Sequence, residues 1–233
     1  MLRLAFRISA LTVIVMAAAA VLSAAQIPCP TSTTLDQLSA FSSEANACYS
    51  QDKLFYNFVY TPTGSAGAAN SVQAGLLFQQ TPGLDIHGWN FSSNSWVQGI
   101  SGPAAFTLGY TIELCPSGSA CFGNVLPATR IIGADAVYSS VSTFPAGNEV
   151  VTWSNGATVT LTSADGGPLP PNGMIGLGAG ILGPISVSAV WSGTGAITQN
   201  TLRFYEAVPE PMSFVLIGTG LLGLGLLRRR VRR

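Results

Sequence analysis

The residues of this chain best suited to covalent chemistry are its four cysteines, whose fate depends on the compartment. In an oxidising compartment an even number of cysteines predicts disulfides, and four allow three connectivities. We expect the two local pairings, Cys29–Cys48 and Cys115–Cys121, which would fasten an N-terminal segment and close a short loop. Zinc is the alternative, but there is no Cys-x-x-Cys and the single histidine is His87. We therefore expect no metal site.

A catalytic group would have to be built around His87. Residues two apart share a face of a strand, so Asp85 and His87 could form a dyad. The alternative is a solvated or loop-bound histidine. No Gly-x-Ser-x-Gly nucleophile motif occurs, and the scattered acids single out no carboxylate pair for glycoside cleavage. We expect no catalysis.

The pattern Gly-x-Gly-x-x-Gly occurs twice, at 178–183 and at 218–223. A dinucleotide site requires this pattern between a strand and a helix. The first copy lies in an apolar stretch, 174–185, that we interpret as a packed loop, and the second lies in the apolar C-terminal tail. We therefore interpret both as chance matches and expect no cofactor.

Aromatic side chains give the best argument for ligand binding. Trp89, Phe91 and Trp96 lie in a polar stretch rich in Asn and Ser, a composition that can bind sugars by ring stacking and hydrogen bonds. Trp89, Trp96 and Trp153 are the candidate stacking residues. The alternative is that these rings fill a core, as we expect for Trp191.

Composition excludes some functions. Only 9% of the 233 residues are charged, against roughly 25% in a typical soluble protein. Seven of the ten Lys/Arg lie at the two ends, so residues 26–208 carry three basic and nine acidic residues, 3 − 9 = −6. Phosphate binding needs basic patches, so we expect no nucleic-acid partner.

Residues 26–208 have the pattern of a strand-rich domain. Thr34–Gln37 resembles a capping box, so a short helix is expected before Cys48. Period-two alternation then dominates, with Leu54, Tyr56 and Phe58 expected on one face of the first strand. Such a series predicts an antiparallel β-sandwich, with a jelly-roll connection as one option. The predicted strands are 54–60, 105–114 and 185–191, with weaker signals at 72–80, 130–140 and 196–206.

One hairpin can be placed by its turn. Asn155-Gly156 favours a two-residue type I′ turn joining 149–154 to 157–163. This register predicts a buried face and a Thr-rich, solvated face that carries Trp153. The predicted buried face is Val150, Thr152, Val159 and Leu161, and the other is Val151, Trp153, Thr158 and Thr160.

The N-terminal 25 residues have the features of an export signal. Arg3 and Arg7 precede an apolar stretch at 8–22, and Ser23-Ala24-Ala25 fits a cleavage site. The implied partners are the Sec translocon and signal peptidase. A first transmembrane anchor is the alternative interpretation.

The C-terminal residues 209–233 form a three-part tail. Pro209-Glu210-Pro211 precedes sixteen uncharged residues, 212–227, and then Arg228, Arg229, Arg230, Arg232 and Arg233. Sixteen helical residues rise ~24 Å, and terminal arginines favour a cytoplasmic end. The tail resembles the PEP-CTERM sorting signal of Gram-negative bacteria. This resemblance implies an inner-membrane intermediate that an exosortase cuts near the motif; a plain single-span anchor is the alternative.

The body also resembles one group of such proteins. The segment from Cys48 through Asp52-Lys53-Leu54-Phe55-Tyr56-Asn57-Phe58-Val59-Tyr60 is similar to that group's opening, and 197–204 to its closing segment. The resemblance implies an association with exopolysaccharide and biofilm. We therefore expect a non-catalytic structural or adhesive protein at the cell surface or outside the cell. A carbohydrate-binding module is the alternative, and a polysaccharide-active enzyme comes third.

Overall fold

The structure is a computed structural model, and the predicted signal peptide and sorting tail lie outside its described residues. Pro209, Glu210, Pro211 and the terminal arginines are therefore among the residues not described. No helix within the described part of the chain is long and apolar enough to span a membrane. The described residues are 26–64, 66–81, 84–97, 104–117, 119, 121, 129–140, 147–156, 158–163, 175–181, 183–193 and 197–207.

Two β-sheets make up the described domain. The first has the spatial order β1 (Ile27–Pro28), β3 (Cys48–Ser50), β4 (Lys53–Gly64), β7 (Ala104–Leu114), β12 (Ile185–Gly193), β9 (Gly147–Trp153) and β10 (Thr158–Ser163). The second has the order β11 (Ile175–Ile181), β8 (Arg130–Ser140), β13 (Ile197–Ala207), β6 (Leu84–Ser92), β5 (Gln73–Thr81) and β2 (Ser32–Thr34). The short helices are α1 (Leu35–Leu38) and α2 (Asn94–Val97), with 3-10 turns at Glu44–Asn46 and Ala69–Ser71.

The core lies between the two sheets, as expected of a sandwich. Phe55 of β4 meets Trp89 of β6 edge to face, with ring centroids 6.0 Å apart. Tyr110 of β7 contacts Phe204 of β13 and donates a hydrogen bond to the Leu202 carbonyl at 2.8 Å. Inward residues alternate with outward ones along these strands, which buries one face of each sheet. The predicted mainly-β, two-sheet architecture is confirmed.

All six strands predicted from alternation and both strands of the predicted hairpin are present, but the longer β6 and β11 and the short β1, β2 and β3 were missed. β6 was hidden because Asp85 and His87 occupy inward positions, so apolar and polar residues do not alternate cleanly there. β11 was interpreted as a packed loop because its glycines remove the alternation. The first Gly-x-Gly-x-x-Gly match therefore begins within a strand, which does not fit a dinucleotide site.

The predicted face of β4 is wrong at its beginning. Lys53 and Phe55 face the core, while Leu54 packs on the other side against Cys115 and Cys121. The pairing with β7 shifts between Tyr56 and Val59, where Asn57 has a φ of 56°. This bulge inserts a residue and changes the phase, so that Phe58 also faces the core.

The β9–β10 hairpin differs from the prediction by one residue. Val151 pairs with Val159, and Gly156 N–H donates to the Trp153 carbonyl at 2.9 Å. Gly156 has a φ of 86°, whereas Asn155 does not have a positive φ. The connection therefore turns from Trp153 to Gly156 with glycine in the left-handed position, and it is not a type I′ turn.

This slip moves the side chains of β9 to the opposite faces. Trp153 and Val151 are buried, and Val150 is 40% exposed. The predictions of an exposed Trp153 and a buried Val150 are therefore wrong. A one-residue change of register exchanges the two faces of a strand. The assignment of the turn therefore determined the predictions for both Trp153 and Val150.

Both local disulfides are present, so the predicted connectivity agrees with the structure. Cys29–Cys48 fastens β1, which runs parallel to β3, and Cys29 N–H also donates to the Tyr49 carbonyl at 2.8 Å. Cys115–Cys121 lies just beyond the end of β7. The pairs are compatible with an exported protein.

The expected short helix is α1. Leu35 and Leu38 are buried and Phe41 is partly buried, as the apolar stripe predicts. The capping box is not formed, because Thr34 makes no side-chain cap hydrogen bond. Packing of the two leucines, rather than capping, holds this turn against the domain.

Candidate functional site

The three candidate stacking tryptophans are all buried. Trp89, Trp96 and Trp153 are each at most 1% exposed. Trp96 stacks on Phe106 with centroids 4.5 Å apart, and its Nε1–H donates to the Tyr60 hydroxyl at 3.0 Å. These rings fill the core, which was the alternative interpretation, and they offer no exposed face to a sugar.

The most unusual group of side chains is a charged cluster, defined here as Asp52, Lys53, His87 and Glu206. Lys53 is fully buried, and its Nζ donates to Asp52 Oδ1 at 2.6 Å and to Glu206 Oε2. Nε2 of His87 lies 3.0 Å from the same Glu206 oxygen. Each of the four residues is less than 10% exposed. The cluster thus ties the two sheets together by charge-assisted contacts.

Local structure explains how these side chains meet. Asp52 lies in the two-residue turn between β3 and β4, where Gln51 adopts a φ of 56° and allows the tight reversal. Lys53 begins β4 in phase with the core-facing Phe55, so its side chain runs between the sheets. Glu206, on β13, pairs with Asp85 of β6 and projects inward from the opposite sheet.

His87 lies on the same strand face as Asp85, as the spacing predicted, but in a buried strand rather than a loop. Its Nε2 lies 3.0 Å from Glu206 Oε2. Burial, and then the nearby Lys53 ammonium, lower the pKa of His87 from 6.5 to about 3. The ring is therefore neutral, and a proton on Nε2 can be donated to Glu206.

Asp52 is the carboxyl of the cluster whose proton affinity is raised. Burial, which disfavours the charged form, raises the pKa of Asp52, while Lys53 opposes the shift. Its side chain is 10% exposed, against 3% for Glu206. Asp52 is thus a carboxyl next to the ammonium whose protonated form is favoured by burial.

Three of these side chains lie close enough together to be considered as metal ligands. Asp52, His87 and Glu206 offer ligand atoms within 4.8 Å of one another. However, the Lys53 ammonium contacts the carboxylate oxygens that a cation would need. Lysine therefore already supplies the positive charge, and the donor set does not fit a metal while Lys53 is present.

Another buried acid lies elsewhere in the core. Glu149 on β9 is fully buried and accepts a hydrogen bond from the Asn200 amide of β13. Burial raises the pKa of Glu149 from 4.5 to about 7, an effect that the Asn200 bond opposes. A neutral glutamic acid in this place is a stability element that changes with pH.

A shallow polar depression of about 200 Å³ lies on the described surface. It is formed where β6 ends and β5 and β13 begin, near α2. Hydroxyl and amide groups line it, and no aromatic ring is among the lining residues. These residues are Ser71, Gln73, Ser92, Ser93, Asn94 and Thr198.

Sequence analysis missed the charged cluster, although one signal was present. Lys53 is one of three basic residues between 26 and 208, and it stands two positions before Phe55. In a strand this spacing puts both on one face, so a core-facing Phe55 implies a core-facing lysine. Its partner Glu206 could not be found because the pairing joins the two sheets over 153 residues.

Comparison with known proteins gives no functional assignment. No protein-family model matches this chain, and no curated protein is significantly similar to it.

Proposed function

We propose that this protein is an exported, non-catalytic β-sandwich with a structural or adhesive role at the cell surface or outside the cell. The PEP-CTERM-like tail makes an exosortase its processing partner. Before that step, the Sec translocon exports the chain and signal peptidase removes the signal peptide. The tail then holds the protein in the inner membrane transiently. The expected environment is an exopolysaccharide or biofilm matrix.

The observation that carries this proposal is the disulfide between Cys29 and Cys48. Oxidising compartments favour such bonds, and this one fastens the strand that follows directly after the predicted cleavage site at Ala25. The disulfide would thus hold the new N-terminal segment to the domain after the signal peptide is removed.

The chemistry of the buried residues supports a non-catalytic role. Lys53, His87 and Glu206 are occupied with one another and at most 3% exposed, so a polysaccharide chain would not reach them. A general acid or base must lie within hydrogen-bonding distance of its substrate. The cluster is better suited to holding the sheets together than to turnover.

Processing can be tested in a strain that has an exosortase. Mass spectrometry of surface-extracted protein should find a chain that begins near Gln26 and lacks the arginine tail. Replacing Pro209, Glu210 and Pro211 with alanine should leave the tail uncut, whereas Arg228→Lys keeps the charge and should be processed normally. An intact Arg233 terminus on the surface-exposed wild-type protein would contradict sorting by an exosortase.

Carbohydrate binding is the second candidate, and the polar depression is the observation that favours it. Its hydroxyl and amide groups match the hydrogen-bonding needs of a sugar. On a glycan array, the Gln73→Ala and Asn94→Ala variants should each bind glycans more weakly than the wild-type protein does. Gln79→Ala, on the same strand but outside the depression, is the matched control. Equal binding by all three variants would exclude this site.

A further inference from the structure

The charged cluster brings an amine and a carboxyl into contact inside the domain, away from water. Lys53 Nζ contacts Glu206 Oε2 across the two sheets, and Asp52 Oδ1 lies 2.6 Å from the same nitrogen. His87 Nε2 lies 3.0 Å from the Glu206 oxygen. The atoms that would form a bond, a carboxyl beside the amine and a donor at the acceptor oxygen are therefore all present.

We propose that Lys53 and Glu206 condense into an intramolecular amide that joins β4 to β13, with Asp52 carrying the proton. The modification goes beyond the proposed sorting function and does not depend on it. It would turn the contact between the first long strand and the last described strand into a covalent cross-link.

The burial of the Lys53–Glu206 ion pair favours this outcome. One ammonium faces the carboxyls of Asp52 and Glu206, and Asp85 pairs with Glu206 on the neighbouring strand. All of these groups are less than 10% exposed, so their ionised forms have lost most of their hydration by water. An amide is neutral, and its formation removes a buried ion pair. The raised pKa of Asp52 is in keeping with a carboxyl that can hold the transferred proton.

The reaction needs no oxidant, metal or cofactor. The Lys53 ammonium gives a proton to Asp52, and the neutral amine attacks the carboxyl carbon of Glu206. His87 donates to the carboxyl oxygen as charge develops on it. A C–N bond forms, a C–O bond breaks, and one oxygen leaves as water with two of the three ammonium protons, one of them returned by Asp52. The products are an amide and one water, and Asp52 ends unchanged.

Geometry makes Glu206, rather than Asp52, the acceptor. Glu206 contacts both the nucleophile and the His87 donor, whereas Asp52 contacts the amine and the Glu206 carboxyl but makes no recorded bond to His87 among the described residues. An amide to Asp52 would join neighbouring residues within one turn. The two carboxyls therefore have different roles, one as electrophile and one as proton carrier.

The test is a peptide map of the full chain, exported, purified, then reduced and denatured. Trypsin cuts after free lysine and arginine, so an unmodified protein yields a peptide ending at Lys53 and another beginning at Phe204. With the amide, trypsin does not cut after Lys53, and the peptide containing it is joined to the one beginning at Phe204. The mass of the joined species should be one water less than the sum of the peptide that contains uncut Lys53 and the peptide that begins at Phe204. Fragmentation should place the link at Lys53 and Glu206.

Variants separate the chemistry from simple packing. Lys53→Arg keeps a positive charge but cannot form this amide, so the joined peptide should vanish. Asp52→Asn should slow formation by ~100-fold or more, which is typical of losing a general acid–base group. Circular dichroism and the two disulfides should show that Asp52→Asn still folds. Glu113→Gln, a buried acid outside the cluster, is the control that should remain linked.

Two results would overturn the proposal. The first is a folded, disulfide-bonded wild-type protein that trypsin cuts fully after Lys53, with a free Phe204 peptide. The second is a link between Lys53 and Asp52. Full linkage at the wild-type rate in Asp52→Asn would overturn the role given to Asp52.

Discussion

Lys53 and Glu206 are 153 residues apart in the chain, yet their side chains touch between the two sheets. Lys53 belongs to the opening segment, 48–60, and Glu206 follows the closing segment, 197–204. The charged cluster therefore connects segment 48–60 to β13, the strand that contains 197–204. Their residues serve the interior: Asp52 and Lys53 form ion contacts, and Phe55 and Phe204 pack in the core.

We predict that Trp153→Ala lowers the free energy of unfolding by ~3–5 kcal/mol, which is typical of a fully buried aromatic residue. Trp153 is 1% exposed, and truncation would leave a cavity between the sheets. Val150→Ala is the matched control on the same strand, because Val150 faces outward and should cost less than about 1 kcal/mol. Denaturant unfolding of both variants makes the comparison. Equal losses would mean that the register of β9 is not the one described.

Local pattern was enough to predict the strands whose residues alternate cleanly, but it missed β6 and β11 and did not give the faces of every strand. Alternation from Phe106 to Leu114 is uninterrupted, and β7 follows it. The faces of β4 and β9 depend on a single residue each: Asn57, which adds a bulge, and Gly156, which lengthens the turn. Such one-residue insertions leave composition and period almost unchanged but reverse the side chains that follow.

The charged cluster could not be predicted for a different reason. Its contacts depend on which strands face one another, and that order comes from tertiary packing. Sequence reasoning could place Asp85 and His87 on one face, but it could not bring Lys53 from the other sheet to Glu206. The disulfides were predictable because their partners are close in sequence, with separations of 19 and 6 residues.

Asn57 provides a test of the bulge in β4. Its φ of 56° is in the left-handed region, which asparagine tolerates and β-branched residues do not. Asn57→Gly should change stability by less than about 1 kcal/mol, whereas Asn57→Val should cost ~1–2 kcal/mol or more. The side chain is exposed, so lost packing does not complicate the result. Thermal unfolding of the two variants makes the comparison. If Asn57→Val were as stable as Asn57→Gly, the result would contradict the bulge.

Glu149 should make stability fall as pH rises. Its pKa is about 7 in the folded state and 4.5 when unperturbed, so the folded protein holds a proton that the unfolded chain has lost. The stabilisation is complete below pH 4.5 and is lost as pH rises to about 7, by roughly 3 kcal/mol. Burial also raises the pKa of Glu113 from 4.5 to about 7, so part of this slope comes from Glu113. Glu149→Gln keeps a neutral side chain and should remove the part that comes from Glu149. Asp36→Asn, at an exposed acid, should leave it unchanged, and an unaltered slope in Glu149→Gln would refute the assignment.

His87 should produce the opposite dependence. Its pKa is lowered from 6.5 to about 3, so the unfolded chain binds a proton that the folded state excludes. Stability should therefore fall as pH decreases from 6.5 towards 3, with Lys53, Asp52, Asp85 and Glu206 as the charged groups around the ring.

Between pH 4.5 and 6.5 the His87 and Glu149 effects oppose each other, so the wild-type curve should be flatter than either single variant. His87→Gln removes the titration and should reveal the gain from Glu149 as pH falls. Urea unfolding at a series of pH values measures both slopes. A His87→Gln variant that loses stability on acidification as steeply as the wild type would show that another group is responsible.

The two disulfides should contribute unequally to the free energy of unfolding. In the chain-entropy model a longer loop is costlier to close in the unfolded state, so the Cys29–Cys48 bond should contribute ~3 kcal/mol and the Cys115–Cys121 bond ~2 kcal/mol. Their sequence separations are 19 and 6 residues. Each double Cys→Ala variant is compared with the wild type by denaturant unfolding under oxidising conditions.

Hydrogen exchange adds a local measurement to this comparison. β1 has two residues and pairs with β3, so without the Cys29 bond it should detach before the rest of the sheet unfolds. The amide at position 29, which donates to the Tyr49 carbonyl, should exchange much faster in Cys29→Ala/Cys48→Ala but not in Cys115→Ala/Cys121→Ala. Unchanged protection at position 29 would mean that backbone pairing alone holds β1. The disulfide would then stabilise the protein only through its unfolded state.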